Sequence, residues 1–551
     1  MENLKTPVEM LYHWEAATPN KLFMCQPFNG QWHEFTWQQA ATEIRKLAKA
    51  LQSYNLPPKS KVALVSKNCA HWIMADLAIM MAGYESVPIY PNVGEETLSY
   101  VLQHSEAKIL LVGKLDDWSF MKAGVPNGVQ CISFPWYGPK QEGFHYWEDL
   151  VKHHAPLEGN PNPHLDDIMS IIYTSGTTGN PKGVVHTYRS FSWAVTMGKD
   201  FVGFEDGKER LFSYLPLSHI AERMLIEMVG VYTNSEIWFA ESLDLFVKNL
   251  AEAQPTVFLA VPRIWTKFQM GILSKLPQNK LNILLSIPVV NGIIKKKILT
   301  GLGLQRCKHY ITGAAPISPS LVNWWAKLGV DLEEVYAMTE NCAISHANRK
   351  PHFKIGTQGK PMPGVEMKLS EAGEILVKVP CNMQGYYKEP EMTANTLKDG
   401  WLHTGDRGVV DADGFLKITG RVKEIFKTDK GKYIAPAPIE MKLAKNHFVE
   451  QICVVGSSLP QPIGLVVLSI DGRAKDKDYI KQSLAKTLEI VNPELEKHER
   501  IQKLVVLQEE WTIENGLLTP TMKIKRNPIE DKYQTKYDIW YQHTETVVFE
   551  L

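Results

Sequence analysis

Residues 173–184 read YTSGTTGNPKGV, and this stretch settles more about the chain than any other. A dozen positions hold three glycines (Gly176, Gly179, Gly183), four hydroxyl side chains (Thr174, Ser175, Thr177, Thr178) and Lys182. The apolar run IMSII at 168–172 precedes it and reads as a strand. Glycines let backbone amides close on an anion, hydroxyls donate hydrogen bonds to its oxygens, and lysine supplies charge. Together they suit a polyphosphate. A Walker-type loop is excluded by spacing. It needs G-x-x-x-x-G-K-[ST], whereas Lys182 follows Pro181 and precedes Gly183, so the magnesium-binding hydroxyl is missing.

Outward from this loop, strand-like runs alternate with helix-like stretches. VALVS (62–66) is followed by an apolar helical pattern over 71–84, then SVPIYP, a helical ETLSYVLQHS, and ILLVG (109–113). Similar runs return at Thr256–Val261 and His309–Thr312. This alternation predicts a parallel α/β sheet. Around 360–420 the texture changes to short strands such as GEILVK (373–378) and GFLKITG (414–420), joined by Gly and Asp turns. That pattern predicts an antiparallel, barrel-like segment. Asp411–Gly414 (DADG) reads as a hairpin turn, since further calcium ligands are absent. Beyond 420, CVVGSS, IGLVVLSI and KLVVLQ alternate with the helical YIKQSLAKTLEIV, which predicts a small α+β domain. The expected division is 1–420 and 421–551.

The chain has 551 residues, with 60 Lys plus Arg against 60 Asp plus Glu. Zero net charge argues against a protein that coats nucleic acid, which needs a basic excess. The seven cysteines, at 25, 69, 131, 307, 342, 381 and 453, form no C-x-x-C pair. They read as small buried hydrophobes in a reducing compartment, not as a zinc or disulfide framework. The N-terminal MENLKTPVEMLYHWEAATPN has no signal-peptide pattern, and no apolar run reaches the roughly 18 residues of a membrane span. The nearest is LNILLSIPVVNGII (281–294), interrupted by Pro288 and Asn291 and followed by Lys295, Lys296 and Lys297. A buried or surface helix is the first reading of 281–297, and a peripheral membrane contact the second. The location expected is the cytoplasm, with the inner face of a membrane as the variant that this segment leaves open. Monomer and homodimer are both compatible with the sequence.

With YTSGTTGNPKGV as the first of about six ordered motifs, the sequence resembles the adenylate-forming enzymes: acyl-CoA synthetases, luciferases and the adenylation domains of peptide synthetases. The others are Gly313-Ala314-Ala315-Pro316, Tyr336-Ala337-Met338-Thr339-Glu340, DGWLHTGDRG (399–408), Gly420-Arg421-Val422-Lys423-Glu424 and LTPTMKIKR (518–526). The resemblance implies that Thr174, Ser175, Gly176, Thr177, Thr178, Gly179 and Lys182 hold the β- and γ-phosphates of ATP. It implies that Gly313, Ala314 and Ala315 form the adenine turn, that Tyr336 packs on the base and that Thr339 reaches the α-phosphate. Glu340, with Thr178, is implied to hold Mg2+. Asp406 would accept the ribose hydroxyls beside Arg421, and Lys423 would be a hinge. Lys523, with Lys525 as second candidate, would bridge the α-phosphate and the substrate carboxylate. Gly431 and Lys432 would face a coenzyme A tunnel. Two positions depart from the family pattern: Ala337 and Met522 stand where glycine is usual.

Leu215–Arg223 (LPLSHIAER) and Val261–Trp265 (VPRIW) are similar to segments of the long-chain acyl-CoA synthetases. The implied activity is ATP-dependent conversion of a medium- to long-chain fatty acid to acyl-AMP, then transfer to coenzyme A. The alternative is an acyl-AMP ligase that uses a non-standard acid or a non-CoA acceptor; a non-catalytic binding homologue is the third reading. His219 is a candidate catalytic residue, better suited to a wall between nucleotide and acyl group than to base catalysis, because a carboxylic acid is already ionised at neutral pH. Trp238, Phe239 and Met228 could line an acyl tunnel, but their spacing equally fits core positions.

Overall fold

The structure is a computed structural model and describes residues 4–174, 180–457, 459–513, 515–519 and 522–550. The strand preceding the Gly/Thr loop, Ile168–Thr174, lies in an eight-stranded sheet. Its order is Gly385–Tyr386, Lys182–Thr187, Ile168–Thr174, Glu85–Ile89, Lys61–Val65, Ile109–Val112, Gln130–Ser133 and His145–Tyr146. From Ile168–Thr174 to the far edge the strands are parallel. The fully buried helix Ala70–Met81 crosses between the first two strands in sequence. Ile168–Thr174 and Lys182–Thr187 are antiparallel, with Thr174 opposite Lys182. The loop therefore closes a β-hairpin, where a Walker loop would open a helix.

A nine-stranded sheet follows the order Lys360–Pro361, His346–Asn348, Leu332–Tyr336, His309–Thr312, Val257–Ala260, Arg210–Ser213, Glu236–Phe239, Leu22–Phe28 and Gln31–Thr36. Its centre is parallel and both edges are antiparallel. The segment expected to be barrel-like is a five-stranded antiparallel sheet built on the long strand Trp401–Val410. The Asp411 turn is a hairpin: its carboxylate accepts from the amides of Asp413 and Phe415, and Lys354 pairs with both aspartates. The C-terminal region has its own four-stranded sheet, Val449–Val455, Ile463–Leu468, Leu504–Val506 and Val547–Phe549, covered by the helix Lys477–Val491.

The cysteines are free; all are buried except half-buried Cys307. Phe239 and Met228 are fully buried in the main core, and half-buried Trp238 stacks under Arg210, so these residues pack the fold. The stretch 281–294 departs from the single helix expected of it. Two helices, Gln278–Ser286 and Pro288–Gly301, meet at Ile287, whose backbone is extended. Pro288 lacks an amide proton and disfavours helical geometry at the residue before it, so the chain turns there.

Arg223 is fully buried and joins the two large sheets. It pairs with Asp76 on the helix Ala70–Met81, donates to Ser170 Oγ at 2.6 Å on the strand that leads into the Gly/Thr loop, and reaches Glu227 at 3.3 Å. Ser86 Oγ donates to the other Asp76 oxygen. Burial, and then the Asp76 charge, hold the Glu227 carboxyl well above its usual range, so it stays protonated beside the ion pair. Removing one partner of such a pair strands a buried charge. Arg223→Met is expected to cost about 3–5 kcal/mol in urea denaturation; a loss under 1 kcal/mol would show that Asp76 finds other compensation.

Candidate active site

The site is assembled where strand ends of two sheets approach the C-terminal region. His309–Thr312 and Leu332–Tyr336 are neighbouring parallel strands. The Gly313–Ala315 turn and Tyr336 therefore lie together at their carboxyl ends, the usual position for a ligand in open α/β sheets. A Cβ at Gly313 would stand 2.9 Å from Val335 Cγ2 and 3.0 Å from Val335 O, so the turn can approach that strand only without a side chain. Ala314 takes φ +64° and, with Ala315, is exposed.

Asp406 and Arg421 face each other across the antiparallel pair Trp401–Val410 and Leu416–Arg421. This register brings Arg421 Nε to 2.9 Å from Asp406 Oδ1. Tyr336 OH donates to Asp406 Oδ2 at 2.8 Å, tying the neighbour of the Gly313–Ala315 turn to the Asp406–Arg421 pair. Thr339–Asn341 form a tight helical turn just beyond Tyr336, with Thr339 buried and Glu340 half-buried.

Glu340 is a shared electrostatic neighbour of three cations. Its charge acts on Lys182, Arg421 and Lys523, which come from three distant parts of the chain. Burial and the nearby Lys423 charge lower the Lys182 pKa; burial and Arg421 lower that of Lys523. Lys523 keeps solvent-exposed surface, so it sits at the wall of a cleft surrounded by protein, not in the core. Cations held close enough to depress one another, around one carboxylate, favour a multiply charged anion between them.

Lys523 is held by a tight turn. Thr519 N donates to its carbonyl at 2.8 Å, its own amide donates to Thr519 Oγ1 at 3.1 Å, and Lys525 N donates to Leu517 O at 2.9 Å. Buried Arg526 then anchors the segment through Val454 O and Glu440, both at 2.7 Å. Met522 takes φ +62°, a conformation in which glycine is unstrained and other residues pay about 1 kcal/mol. The departure from the family's glycine thus falls on a left-handed residue immediately before Lys523. Lys525 instead caps the helix Arg526–Tyr533.

His219 Nδ1 accepts from Ala221 N at 3.2 Å, which leaves its proton on Nε2. Burial and the Lys523 charge push its pKa down to about 4. It is a neutral donor that feels the charge of the lysine. Its neighbours in LPLSHIAER are structural: Glu222 Oε1 accepts from Ser213 Oγ (3.0 Å), Tyr214 N (2.9 Å) and Asn68 Nδ2 (3.2 Å), and burial raises its carboxyl to about 8.

Two residues escaped the sequence reading. Tyr386 OH donates to Glu340 Oε1 at 2.8 Å, and Lys182 Nζ stands 5.5 Å from its ring centre. Buried His186 donates from Nε2 to Thr339 O at 2.7 Å, with Nδ1 3.2 Å from Ser190 Oγ. His186 sits four residues beyond Lys182, a weak signal; Tyr386 carries none, because only the pairing of Gly385–Tyr386 with Val184 and Val185 brings it in. Lys423, in the turn Val422–Glu424, reaches Lys182 by charge. Gly431 and Lys432 lie at the exposed tip of a hairpin, outside every contact described above. Ser175, Gly176, Thr177, Thr178 and Gly179 lie outside the described residues.

The fold joins a large α/β region to a smaller C-terminal one. The chain belongs to the AMP-binding enzyme family: the model of that family matches residues 11–387, and the model of the AMP-binding enzyme C-terminal domain matches residues 424–545. A protein named long-chain-fatty-acid–CoA ligase FadD15, from Mycobacterium bovis, is 29% identical and covers 97% of this chain and 96% of its own. Long chain acyl-CoA synthetase 6, peroxisomal, from Arabidopsis thaliana, is 30% identical, over 90% of this chain and 80% of its own. Among solved structures, an anthranilate CoA ligase in complex with anthranoyl-AMP superposes with a TM-score of 0.80 over 98% of this chain and 99% of its own, at 19% identity, a likeness of fold.

His186, His219 and His346 all titrate near pH 4 in the folded protein because of burial, against about 6.5 unfolded. Between those values the unfolded chain binds more protons, so stability present above pH 6.5 is lost as pH falls toward 4. Thermal unfolding from pH 7.5 to 4.5 should show this decline, and His186→Gln should flatten it; an unchanged slope would assign the decline to other groups.

Proposed function

We propose that this protein activates a medium- to long-chain fatty acid with ATP and transfers the acyl group to coenzyme A. The observation that carries this reading is the hydrogen-bonded chain Tyr336–Asp406–Arg421 at the end of the strand Leu332–Tyr336, with the charge of Glu340 acting on Lys182, Arg421 and Lys523 alike. The named relatives support the acyl chain class. The competing reading, transfer to an acceptor other than coenzyme A, shares the first half-reaction.

A carboxylate resists nucleophiles because its carbon is electron-rich and its leaving group would be oxide. Attack of the carboxylate on the α-phosphorus of ATP, with loss of pyrophosphate, replaces oxide by AMP as the later leaving group. The protein contributes position and charge. Lys182, with the loop 174–179, holds the departing phosphates, and Asp406, oriented by Tyr336 and Arg421, accepts the ribose hydroxyls. Lys523 bridges the α-phosphate and the carboxylate, bringing two anions together. His219 closes the wall between them. Glu340, fixed by Tyr386, and Thr178 would hold Mg2+. The described residues contain no cluster of three or more His, Cys, Asp or Glu side chains able to bind a metal. One carboxylate fits magnesium, which keeps most of its shell for water and substrate phosphates and would neutralise the triphosphate's charge.

We assign 1–420 to the nucleotide and acyl sites and 421–551 to a lid that turns at Lys423 between half-reactions. Lys523 would then withdraw and the thiol enter past Gly431 and Lys432. Long acyl chains partition into lipid, so the reaction is placed in the cytoplasm at or near the inner face of a membrane.

The test is product formation from ATP, magnesium, coenzyme A and a panel of fatty acids from short to very long. Thioester and AMP should rise together on the longer acids; AMP release independent of coenzyme A would exclude the ligase reading. Lys523→Ala should lower adenylate formation by about 100- to 1,000-fold, as for other transition-state charge partners. It should still convert supplied acyl-adenylate to thioester, and equal loss of both half-reactions would refute the step-specific role.

A further inference from the structure

The balanced net charge conceals a long one-signed stretch. From Ala253 to Val330 the chain carries ten lysines and arginines and not one aspartate or glutamate. At its middle stands the helical hairpin Gln278–Ser286 and Pro288–Gly301. Its inner side is fixed. Leu281 is buried, Leu285, Ile294, Ile298 and Leu299 pack on the aromatic cluster around Trp265 and Trp325, and Gln278 accepts from Trp324 Nε1 at 2.8 Å. Asn291 Nδ2 donates to Leu285 O at 2.8 Å and holds the turn closed.

The outer side is also apolar. Ile283 is 62% exposed, Ile287 44%, Val289 77% and Ile293 61%. On the second helix the exposed positions are 288, 289, 292, 293, 296, 297, 300 and 301, spaced as one helical stripe. It runs from Val289 and Ile293 near the hairpin tip to Lys296 and Lys297 one turn behind. On the first helix exposed Lys280 lies one turn behind Ile283. The tip is therefore an apolar wedge with a collar of ammonium groups.

We propose that this hairpin docks on an anionic lipid surface, with Ile283, Ile287, Val289 and Ile293 entering the headgroup–acyl boundary and Lys280, Lys296 and Lys297 meeting the headgroups. Large aliphatic side chains exposed on both arms of a turn gain by leaving water, and lysines at that depth gain from negative surface charge. A second copy of the chain is a poor occupant: two-fold pairing of the hairpin would set the two lysine collars side by side, and residues 253–330 offer no carboxylate to offset them. Neither helix is a span, since no described helix is long and apolar enough to cross a membrane. This surface goes beyond the ligase reading, and its test reads partition, not turnover, so the two can fail separately.

The full chain is sedimented with vesicles of pure phosphatidylcholine and with vesicles carrying about 30% phosphatidylserine or phosphatidylglycerol. Binding should be weak to the first, strong to the second, and weakened by salt. Lys296→Glu with Lys297→Glu should lower the partition coefficient on anionic vesicles by roughly 25-fold or more. Val289→Asp with Ile293→Asp should abolish binding at any salt concentration. All four positions are exposed, and unchanged circular dichroism and thermal unfolding check that the variants fold. Variants that bind as the parent does would overturn the proposal. So would a parent that sediments as a dimer without lipid while the variants are monomers with vesicle binding intact, because the hairpin would then be an interface between copies.

Discussion

A buried arginine sets the geometry on which the site depends. Arg223 lies in a wide π-helical segment, Arg223–Met228, belonging to the nine-stranded half of the molecule. Its partners Asp76 and Ser170 belong to the eight-stranded half. A buried charge must keep its partners or carry a large desolvation penalty, so the two halves cannot slide past each other. Ser170 is four residues from Thr174, where the Gly/Thr loop begins. The contact that locks the sheets therefore also fixes the strand Ile168–Thr174 relative to the nine-stranded sheet.

The site built on this frame is an exercise in holding like charges together. Lys182, Lys423, Arg421 and Lys523 lie near enough to depress the pKa of the two lysines among them that face the cleft. Glu340 and Asp406 offset part of that charge, and each is fixed by a tyrosine: Tyr386 on Glu340, Tyr336 on Asp406. A phenol donating to a carboxylate fixes its orientation. Glu340 is held through Oε1 alone, whereas Asp406 takes Tyr336 on one oxygen and Arg421 on the other. His186 works one layer further out, pinning the main chain of Thr339 from a ring that burial keeps neutral.

Much of this was legible in the chain. The strand–helix alternation over 62–113 appears as the parallel sheet, because apolar runs bounded by turns have few other ways to be buried. The hairpin turn at Asp411 was legible from its residues. Less legible were residues whose importance is set by pairing across the fold. Tyr386 sits in an ordinary aromatic run and matters only because its strand adds to the edge beside Val184. The 281–294 stretch looked like one helix with a blemish; Pro288 made it a hairpin, and its exposure could not be read because an aliphatic residue at helical spacing is core far more often than surface.

The sequence by itself determined the chemistry on offer: a glycine- and hydroxyl-rich loop with a lysine, a carboxylate after a tyrosine, an aspartate ahead of an arginine, and a lysine near the C-terminus. These are local facts, fixed by residue type and spacing. Only the tertiary structure decided that Asp406 and Arg421 stand opposite each other, that Lys523 and not Lys525 reaches toward Arg421 and His219, and that His219 is neutral. Those depend on strand register, on a turn strained at Met522, and on burial. Each is a sum over contacts between residues tens to hundreds of positions apart, which spacing along one chain does not encode.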